Sequence, residues 1–268
     1  MTKSIPQLET VALALDAGIA SVRLNRPDKA NAMSLAMWHD IRSAFDWVDG
    51  CDAARVAVLS GNGTHFCSGI DLNMLASIAD QVDDDCEGRK REKLRRVILD
   101  LQDTLTSLER CAKPVIAAIH GACIGGGIDL ICCADLRYAS VDARFAIREI
   151  DMGMTADVGT LQRMPKLVAP GVVRELALTG REFDAAEAAR LGFVNATFGD
   201  AAQLGAGVRA VAMAIAAKSP LAVRGTKAML NYARDHTVAD GLDQVATWNA
   251  AMLMSSDLNE AVMAAMQK

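Results

Sequence analysis

Aromatic residues and an excess of positive charge are both missing from this sequence. Phe, Trp and Tyr together make up 4% of its 268 residues, although hydrophobic residues of all kinds make up 51%. The core must therefore be built mainly from Ala, Val, Leu and Ile, a composition typical of α/β enzymes that form one large domain, with or without a helical appendage. The formal net charge of −5 gives no general attraction to nucleic acid or to an anionic membrane, and we expect neither as a partner.

Targeting signals, paired cysteines and metal-ligand patterns are absent as well. The N-terminal segment MTKSIPQLE has no apolar run, and the C-terminal segment AAMQK matches no peroxisomal or ER-retention signal. We therefore expect a cytoplasmic protein. The seven cysteines include the adjacent Cys132 and Cys133 but no C-x-x-C pair, so we expect reduced, buried thiols. No His, Cys or Asp cluster has the spacing of metal ligands, and we expect no metal.

The most informative stretch covers residues 114–138 and reads PVIAAIHGACIGGGIDLICCADLRY. Its pattern predicts a strand at 115–119, a loop at Gly125, Gly126 and Gly127, and a helix at 128–134. Glycine lets backbone N–H groups approach a ligand closely, and the N-terminus of a helix favours an anion or a developing oxyanion. Asp129 lies inside the apolar helix, where a carboxyl group is costly unless it is paired or used.

Three other interpretations of this stretch fail, and one stays open. Four glycines, His120 and Asp129 argue against a membrane-spanning helix. A dinucleotide-binding fingerprint needs a third glycine where Leu130 stands, and a P-loop needs a Gly-Lys-Ser/Thr ending that is missing. A tight turn whose glycines serve only packing remains possible from this stretch alone.

A second strand, loop and helix pattern begins at residue 55. The buried strand predicted at 55–60 ends in the turn Gly61-Asn62-Gly63, and His65-Phe66-Cys67-Ser68-Gly69-Ile70-Asp71-Leu72 follows. Two such loops could place two backbone N–H donors at one point, as the oxyanion of an acyl thioester requires.

Residues 80–96 carry the strongest run of charge in the chain. Asp83, Asp84 and Asp85 precede six basic residues between 89 and 96. A polyanion or RNA site is one interpretation of this run. The solvated start of a long helix is favoured, because leucines and isoleucine continue at helical spacing to residue 108 and the acids partly cancel the basic field.

The remaining chain predicts a hairpin at 10–24, a strand at 144–149, a loop at 150–160, and helices at 203–218, 220–232 and 238–266. Glu149 and Asp157 are eight residues apart across the loop. On spacing alone, two acids in a loop are solvated.

Four segments together resemble the enoyl-CoA hydratase/isomerase, or crotonase, superfamily. They are NRPDKANAMS (25–34), HFCSGIDL (65–72), the stretch 113–139 and TGREFDAAEAARLGFVN (179–195). The resemblance implies an α/β spiral of ββα turns over residues 1–200, and an all-helical region over 201–268 that joins subunits into trimers or dimers of trimers. It also implies an acyl-CoA substrate whose thioester oxygen accepts hydrogen bonds from the amides of Ile70 and Gly126. The residues implied to line the CoA and acyl path are Ser68, Gly69, Ile70, Asp71, Leu72 and Gly126, with Lys29 near a CoA phosphate.

Within the superfamily, the run REIDMGMTADVGTLQRMPK (148–166) and the tail 219–253 resemble the Δ3,5-Δ2,4-dienoyl-CoA isomerase branch. Three acids are characteristic of that branch, here Asp129, Glu149 and Asp157. The implied reaction, in the β-oxidation of unsaturated fatty acids, moves a proton from C2 to C6 of a 3,5-dienoyl-CoA. Glu149 would take the first proton, Asp157 would deliver the second, and Asp129 would assist. Proton transfer needs no redox carrier, so no cofactor is expected. The alternative is an enoyl-CoA hydratase that adds water to a 2-enoyl-CoA.

Overall fold

The computed structural model describes residues 4–267, which form a mixed α/β fold. The strands are β1 (Val11–Asp16), β2 (Ile19–Leu24), β3 (Val56–Gly61), β4 (Val115–Ile119), β5 (Ala122–Ile124), β6 (Leu136–Ser140), β7 (Arg144–Ala146), β8 (Phe183–Asp184) and β9 (Ala196–Phe198). The helices are α1 (Leu35–Gly50), α2 (Leu72–Gln81), α3 (Glu87–Arg110), α4 (Gly126–Cys132), α5 (Thr160–Arg163), α6 (Pro170–Thr179), α7 (Ala185–Arg190), α8 (Ala201–Ala216), α9 (Pro220–Ala233), α10 (Val238–Met252) and α11 (Ser256–Met266).

The larger sheet has six strands in the order β1-β2-β3-β4-β6-β9. Strands β1 and β2 form the predicted antiparallel hairpin, and the other neighbours pair in parallel. Every residue of β4 is buried, which is why its sequence is a continuous apolar run rather than an alternating one. Because the strands after β1 run in parallel, the loops that follow β3 and β4 leave the sheet at the same edge.

A smaller sheet with the order β5-β7-β8 lies beyond that edge. The chain passes from β4 in the large sheet to β5 in the small one, then through α4 back to β6, and again out to β7. Cys67 extends the small sheet, since its amide donates to Ala122 O at 3.0 Å and its carbonyl accepts from Ile124 N at 2.9 Å. These repeated turns agree with the predicted spiral.

Helix α8 covers one face of the large sheet. Its Leu204, Val208 and Ala212 are buried against Ile19 and Ile116 in a second hydrophobic cluster. Helix α9 is tied to the same core by a buried lysine. Lys227 Nζ lies 2.8 Å from Asp135 Oδ2 and donates to the Lys113 carbonyl at 3.1 Å, so its charge is paired although only 6% of the side chain is exposed.

The predicted elements exist, but several boundaries differ. Helix α4 begins at Gly126, two residues earlier than predicted, so two of the three glycines lie in its first turn. The strand predicted at 144–149 ends at Ala146, and Glu149–Met152 is a short 3-10 helix. The helix predicted at 238–266 is two helices, because the Ser255 hydroxyl accepts from the Leu258 amide and starts α11.

The charged run at 80–96 is the solvated start of a helix, the interpretation that the sequence favours. Helix α3 begins at Glu87, and five of the six basic side chains pair with neighbouring acids, in Arg89–Asp84, Lys90–Asp83, Lys93–Asp84, Arg91–Glu87 and Arg96–Glu92. A run neutralised in this way offers little field to a polyanion.

All seven cysteines are free thiols, and all except Cys86 are buried, as expected. Within residues 4–267 no group of three or more His, Cys, Asp and Glu side chains has an arrangement that could hold a metal ion. Within the same residues no single helix is long and apolar enough to cross a membrane. Helices α8 and α9 reach that length and apolar composition only when taken together, and the chain bends by 107° between them.

Candidate active site

In the loop after β3, the backbone N–H of Ile70 points away from Met33, the residue with which this loop pairs. Met33 N donates to Gly69 O at 2.8 Å, and Asp71 N donates to Met33 O at 3.1 Å. These two hydrogen bonds use the Gly69 carbonyl and the Asp71 amide, which flank Ile70. The Ile70 N–H therefore points to the opposite side of the loop. Gly69 has φ +97°, and a Cβ there would lie 3.1 Å from the Ile124 carbonyl oxygen. Glycine is therefore needed for the loop to pass so close to β5.

The glycine loop after β5 brings a second amide to the same place. Gly125 N donates to Ala146 O at 2.9 Å, which fixes the loop against β7. Gly126 is the first residue of α4, where N–H groups have no partner inside the helix. A Cβ on Gly126 would lie 3.8 Å from Ile70 N. The two loops thus bring the Ile70 amide close to the first turn of α4.

Glu149 lies directly over the glycine loop. A Cβ on Gly125, whose φ is +49°, would lie 2.9 Å from Glu149 Oε1. Glu149 Oε2 is buried and has no hydrogen-bond partner among the described residues. Burial raises the pKa of Glu149 to about 7, and the nearby charges of Asp129 and Asp157 contribute to this rise. A carboxyl group that titrates near neutrality is suited to accept a proton.

Asp129 is completely buried in α4. Its Oδ1 accepts from the Thr160 amide at 2.5 Å, whereas its Oδ2 has no partner in the described part of the chain. Burial raises the pKa of Asp129 to about 6, and the hydrogen bond from Thr160 opposes this rise. The buried Thr160 hydroxyl also lacks a hydrogen-bond partner among residues 4–267. Unpaired polar atoms are costly in a protein interior. The two unpaired oxygens of Asp129 and Thr160 therefore mark the surroundings of α4 as a functional region.

Asp157 lies within electrostatic range of the other two acids and lines a different cavity from Glu149. Its carbonyl accepts from Gln102 Nε2 at 2.6 Å, and the residue lines a polar cleft of about 500 Å³ with Glu109 and Arg163. Partial burial raises the pKa of Asp157, and its charge raises the pKa of both Asp129 and Glu149. The structure therefore brings Asp129 and Glu149 together and places Asp157 within electrostatic range of both.

Two cavities meet at Glu149 and Met154. The first, of about 410 Å³, is lined by all of the predicted path residues from Ser68 to Leu72, by Gly125 beside Gly126, and by the cations Arg26, Lys29 and Arg148. The second, of about 430 Å³, is mostly apolar and is walled by residues such as Ile147, Leu161 and Val173. At the mouth of the first cavity Arg26 pairs with Asp71, Arg148 pairs with Asp151 and Glu182, and Lys29 is exposed. Behind this polar mouth come two amide-bearing loops, a carboxyl group and then an apolar space.

The side chain of Asp71 serves the protein itself. It accepts from Asn73 N at 3.0 Å, which caps α2, and from Arg26 Nη1 at 2.9 Å. The Arg26 guanidinium holds the pKa of Asp71 below its usual range. Arg26 also donates to the Ala32 carbonyl at 2.5 Å, so it ties the loop before α1 to the Ile70 loop. Sequence reasoning missed Arg26 although it stands in the NRP motif. It also missed Thr160, Gln102 and Arg163, for which no motif gave a signal.

Two amide-bearing loops that approach each other beside buried carboxyl groups form an arrangement suited to polarising a carbonyl oxygen and moving protons. Residues 14–267 match the family model described as enoyl-CoA hydratase/isomerase, and the chain belongs to that family. The resemblance read from the four motifs is confirmed.

Among curated relatives, the chain is 49% identical to the peroxisomal Delta(3,5)-Delta(2,4)-dienoyl-CoA isomerase of Arabidopsis thaliana, over 99% of this chain and 96% of that protein. It is 45% identical to the mitochondrial enzyme of the same name from Mus musculus, over 93% of this chain and 77% of that protein. Among solved structures, an enoyl-CoA hydratase from Bacillus anthracis matches with a TM-score of 0.87 and 26% identity, over 97% of this chain and 96% of that one. The predicted crotonase-like fold is confirmed.

The prediction of a cytoplasmic protein is wrong by the same comparison, because these relatives are named peroxisomal and mitochondrial. The compartment of a protein is decided by short addresses that receptors read. The prediction depended on finding no apolar run in MTKSIPQLE and no peroxisomal or ER-retention signal in AAMQK, and the absence of these two signals does not decide the compartment.

Proposed function

We propose that this protein isomerises 3,5-dienoyl-CoA to 2,4-dienoyl-CoA, a reaction of the β-oxidation of unsaturated fatty acids. The observation that carries the proposal is the Glu149 carboxyl group, with its pKa of about 7 and an unpaired buried oxygen among the described residues, beside the meeting point of two amide-bearing loops. The names of the relatives at 45–49% identity support the same reaction.

The thioester oxygen accepts hydrogen bonds from the amides of Ile70 and Gly126. Each such donor contributes about 3–4 kcal/mol to the stability of a developing oxyanion in comparable sites. The CoA moiety lies in the cavity of about 410 Å³ at the polar mouth. Lys29 is exposed there and has no ion pair with another described residue, so it is the candidate for a CoA phosphate.

The chemistry is two proton transfers joined by one delocalised anion. Glu149 takes the proton from C2, and the electrons of that bond move toward the thioester oxygen. The charge then returns along the chain, a C6–H bond forms with a proton from Asp157, and the double bonds shift to C2=C3 and C4=C5. Rotation of the Asp157 side chain, with its carbonyl still bound to Gln102, directs the carboxyl group to C6. Asp129 stays beside both acids and raises the pKa of Glu149. No cofactor takes part in this scheme.

Hydration of a 2-enoyl-CoA is the second candidate, because a solved enoyl-CoA hydratase shares the fold closely. The two reactions change ultraviolet absorbance in opposite ways. Isomerisation of a 3,5-dienoyl-CoA gains conjugation with the thioester, whereas hydration of a 2-enoyl-CoA loses it. A purified protein that removes 2-enoyl absorbance and leaves 3,5-dienoyl-CoA unchanged would refute the isomerase.

Replacement of Asp157 with Asn tests the two-acid scheme. An asparagine amide at position 157 cannot deliver a proton, so isomerisation should fall at least about 100-fold, whereas CoA affinity measured by calorimetry should stay the same. Near-normal isomerisation by D157N would show that one carboxyl group serves both carbons.

Subunit association through the helices after residue 200 is part of the proposal. Helices α9–α11 and the turns between them expose large apolar side chains, among them Leu230 (69%), Val238 (81%), Leu242 (64%) and Met254 (92%). Exposed apolar surface of this extent marks an interaction site, and trimers or dimers of trimers are the assemblies we propose. Sedimentation equilibrium distinguishes these from a monomer, and L242E should shift the population toward the monomer.

A further inference from the structure

Arg163 occupies an unusual position beneath the segment that carries Asp157. Its guanidinium donates to Glu109 Oε2 through Nε at 3.2 Å and Nη2 at 3.1 Å, and to Thr106 Oγ1 at 3.1 Å. Its Nη1 reaches the Val158 carbonyl at 3.4 Å. Arg163 thus connects helix α3 to the backbone one residue after Asp157. The side chains of Arg163 and Glu109 are only 16% and 14% exposed, so removal of the Glu109 carboxylate would leave the Arg163 charge in a poorly solvated place.

The backbone is shaped around this guanidinium. Gly159 has φ +135°, and a Cβ there would lie 1.8 Å from Arg163 Nη1. A side chain at position 159 and the arginine cannot both be present without a rearrangement. The guanidinium therefore fills the space under the turn that joins Asp157 to Thr160.

The hydrogen bonds of this segment fix its backbone at three points on two elements. Gln102 Nε2 binds the Asp157 carbonyl, Arg163 binds the Val158 carbonyl, and the Thr160 amide binds Asp129 Oδ1. The first two come from or are anchored to α3, and the third comes from α4. The segment consequently spans the gap between Asp129 and the cleft that Asp157 lines.

The ion pairs around Glu109 extend to the C-terminal helices. Glu109 also pairs with Arg234, which follows α9, and Asp235 pairs with both Arg234 and Lys166. Glu109 is therefore shared by two arginines, one under the Asp157 segment and one at the end of α9. The Arg163 charge lowers the pKa of Asp129 against the effect of burial.

We propose that Arg163, held by Glu109, is a positioning residue that fixes the segment 157–160 and so keeps Asp157 and Asp129 in working positions. The inference rests on the proposed isomerase function. It adds two residues that touch neither the thioester nor the dienoyl chain and act only through the acids.

The test compares R163Q, R163K and E109Q with R42Q. Arg42 is a matched control, because it binds the same helix α3 through Asp100 Oδ1 at 2.8 Å and Thr104 Oγ1 at 2.9 Å and lines none of the site cavities. For R163Q and E109Q we expect kcat with 3,5-dienoyl-CoA to fall at least about tenfold, because small misplacements of catalytic groups have large effects on rate. KM should change less than about threefold, since the CoA contacts are elsewhere. R42Q should lose stability but keep its kcat.

The pH dependence separates charge from geometry. Arg163 lowers the pKa of Asp129 in the wild type, so this pKa should rise in R163Q. A protonated Asp129 no longer raises the pKa of Glu149, so the acidic limb of the kcat profile should move to lower pH. R163K keeps the charge and should keep the limb, although it loses the two-pronged contact and therefore rate. The other ionisable groups that bear on the two buried acids are the Asp157 carboxyl and four thiols whose pKa values are raised by burial, those of Cys67, Cys123, Cys132 and Cys133.

Hydrogen exchange supplies a measurement that does not depend on turnover. Amides of residues 157–160 should exchange faster in R163Q and E109Q than in the wild type, and should be unchanged in R42Q. If the wild type isomerises the dienoyl substrate and R163Q matches R42Q in rate, pH profile and exchange, the positioning role is refuted and the isomerase stands. If the wild type leaves that substrate unchanged, the proposed function is refuted and the positioning role fails with it, whatever the exchange data show.

Discussion

Replacement of Glu149 with Gln should abolish activity and at the same time stabilise the protein above neutral pH. Burial raises the pKa of this carboxyl group from 4.5 to about 7, so the folded protein binds the proton more tightly than the unfolded chain does. The contribution of Glu149 to stability is therefore lost as pH rises from the unfolded to the folded pKa. At about 1.4 kcal/mol for each pKa unit, the loss above pH 7 amounts to about 3 kcal/mol.

A glutamine amide at this position is neutral throughout and does not incur this penalty. The stability of E149Q relative to the wild type should therefore increase by about 3 kcal/mol between about pH 4 and pH 8. Urea unfolding followed by circular dichroism at the two pH values measures the difference, at one protein concentration because association adds to stability. The rate of isomerisation should fall at least about 100-fold, as for loss of a general base.

Two results would refute this reasoning. Equal pH dependence of unfolding in E149Q and the wild type would mean that burial adds no free-energy cost to the ionisation of Glu149. A stabilised variant with normal turnover would mean that the raised pKa serves no proton transfer. Replacement with Asp is less informative than replacement with Gln, because it shortens the reach of the carboxyl group and keeps its charge.

Three further substitutions test the loops that surround the acids. G125A should lose about 1–3 kcal/mol of stability, because φ +49° with ψ −117° is a conformation almost restricted to glycine. It should also lose turnover, because the new Cβ meets Glu149 Oε1; thermal unfolding and kinetics measure both. G171A is its control, since a Cβ there meets nothing within 4 Å, and it should be neutral or stabilising. G159A should displace Arg163 and reduce kcat, as R163Q does, with normal kinetics as the contrary result. R26Q should lower kcat/KM about tenfold by releasing the Ile70 loop from Asp71, and an unchanged value would show that the loop holds without it.

The central stretch could be predicted from sequence because its signals are local. A β-branched run, a glycine loop and an apolar segment specify a strand, a turn and a helix within about twenty residues. Even so, the sequence pattern places the start of α4 too late, because glycine in a first helical turn looks like loop. Only the structure shows that Gly126 packs against Met33, whose Sδ would lie 3.3 Å from a Cβ at this position.

The partners of the acids could not be predicted. Asp129 binds Thr160, thirty-one residues away, and this pairing depends on how the segment after Gly159 returns to α4. Spacing alone predicts that Glu149 and Asp157 are solvated loop acids. Instead, one oxygen of Glu149 is buried and has no hydrogen-bond partner among the described residues, because the 3-10 turn folds back over Gly125. Long-range packing of this kind leaves no periodic trace in a sequence.

The way in which α8 and Lys227 join the core bears on whether the chain can be divided. A fragment ending at residue 200 would expose the sheet face formed by Ile19, Val56 and Ile116, which α8 covers. It would also leave Asp135 without the Lys227 ammonium group. Such a fragment would be short of a core layer and would not fold independently. Helices α8 and α9 thus complete the core of the residues that precede them.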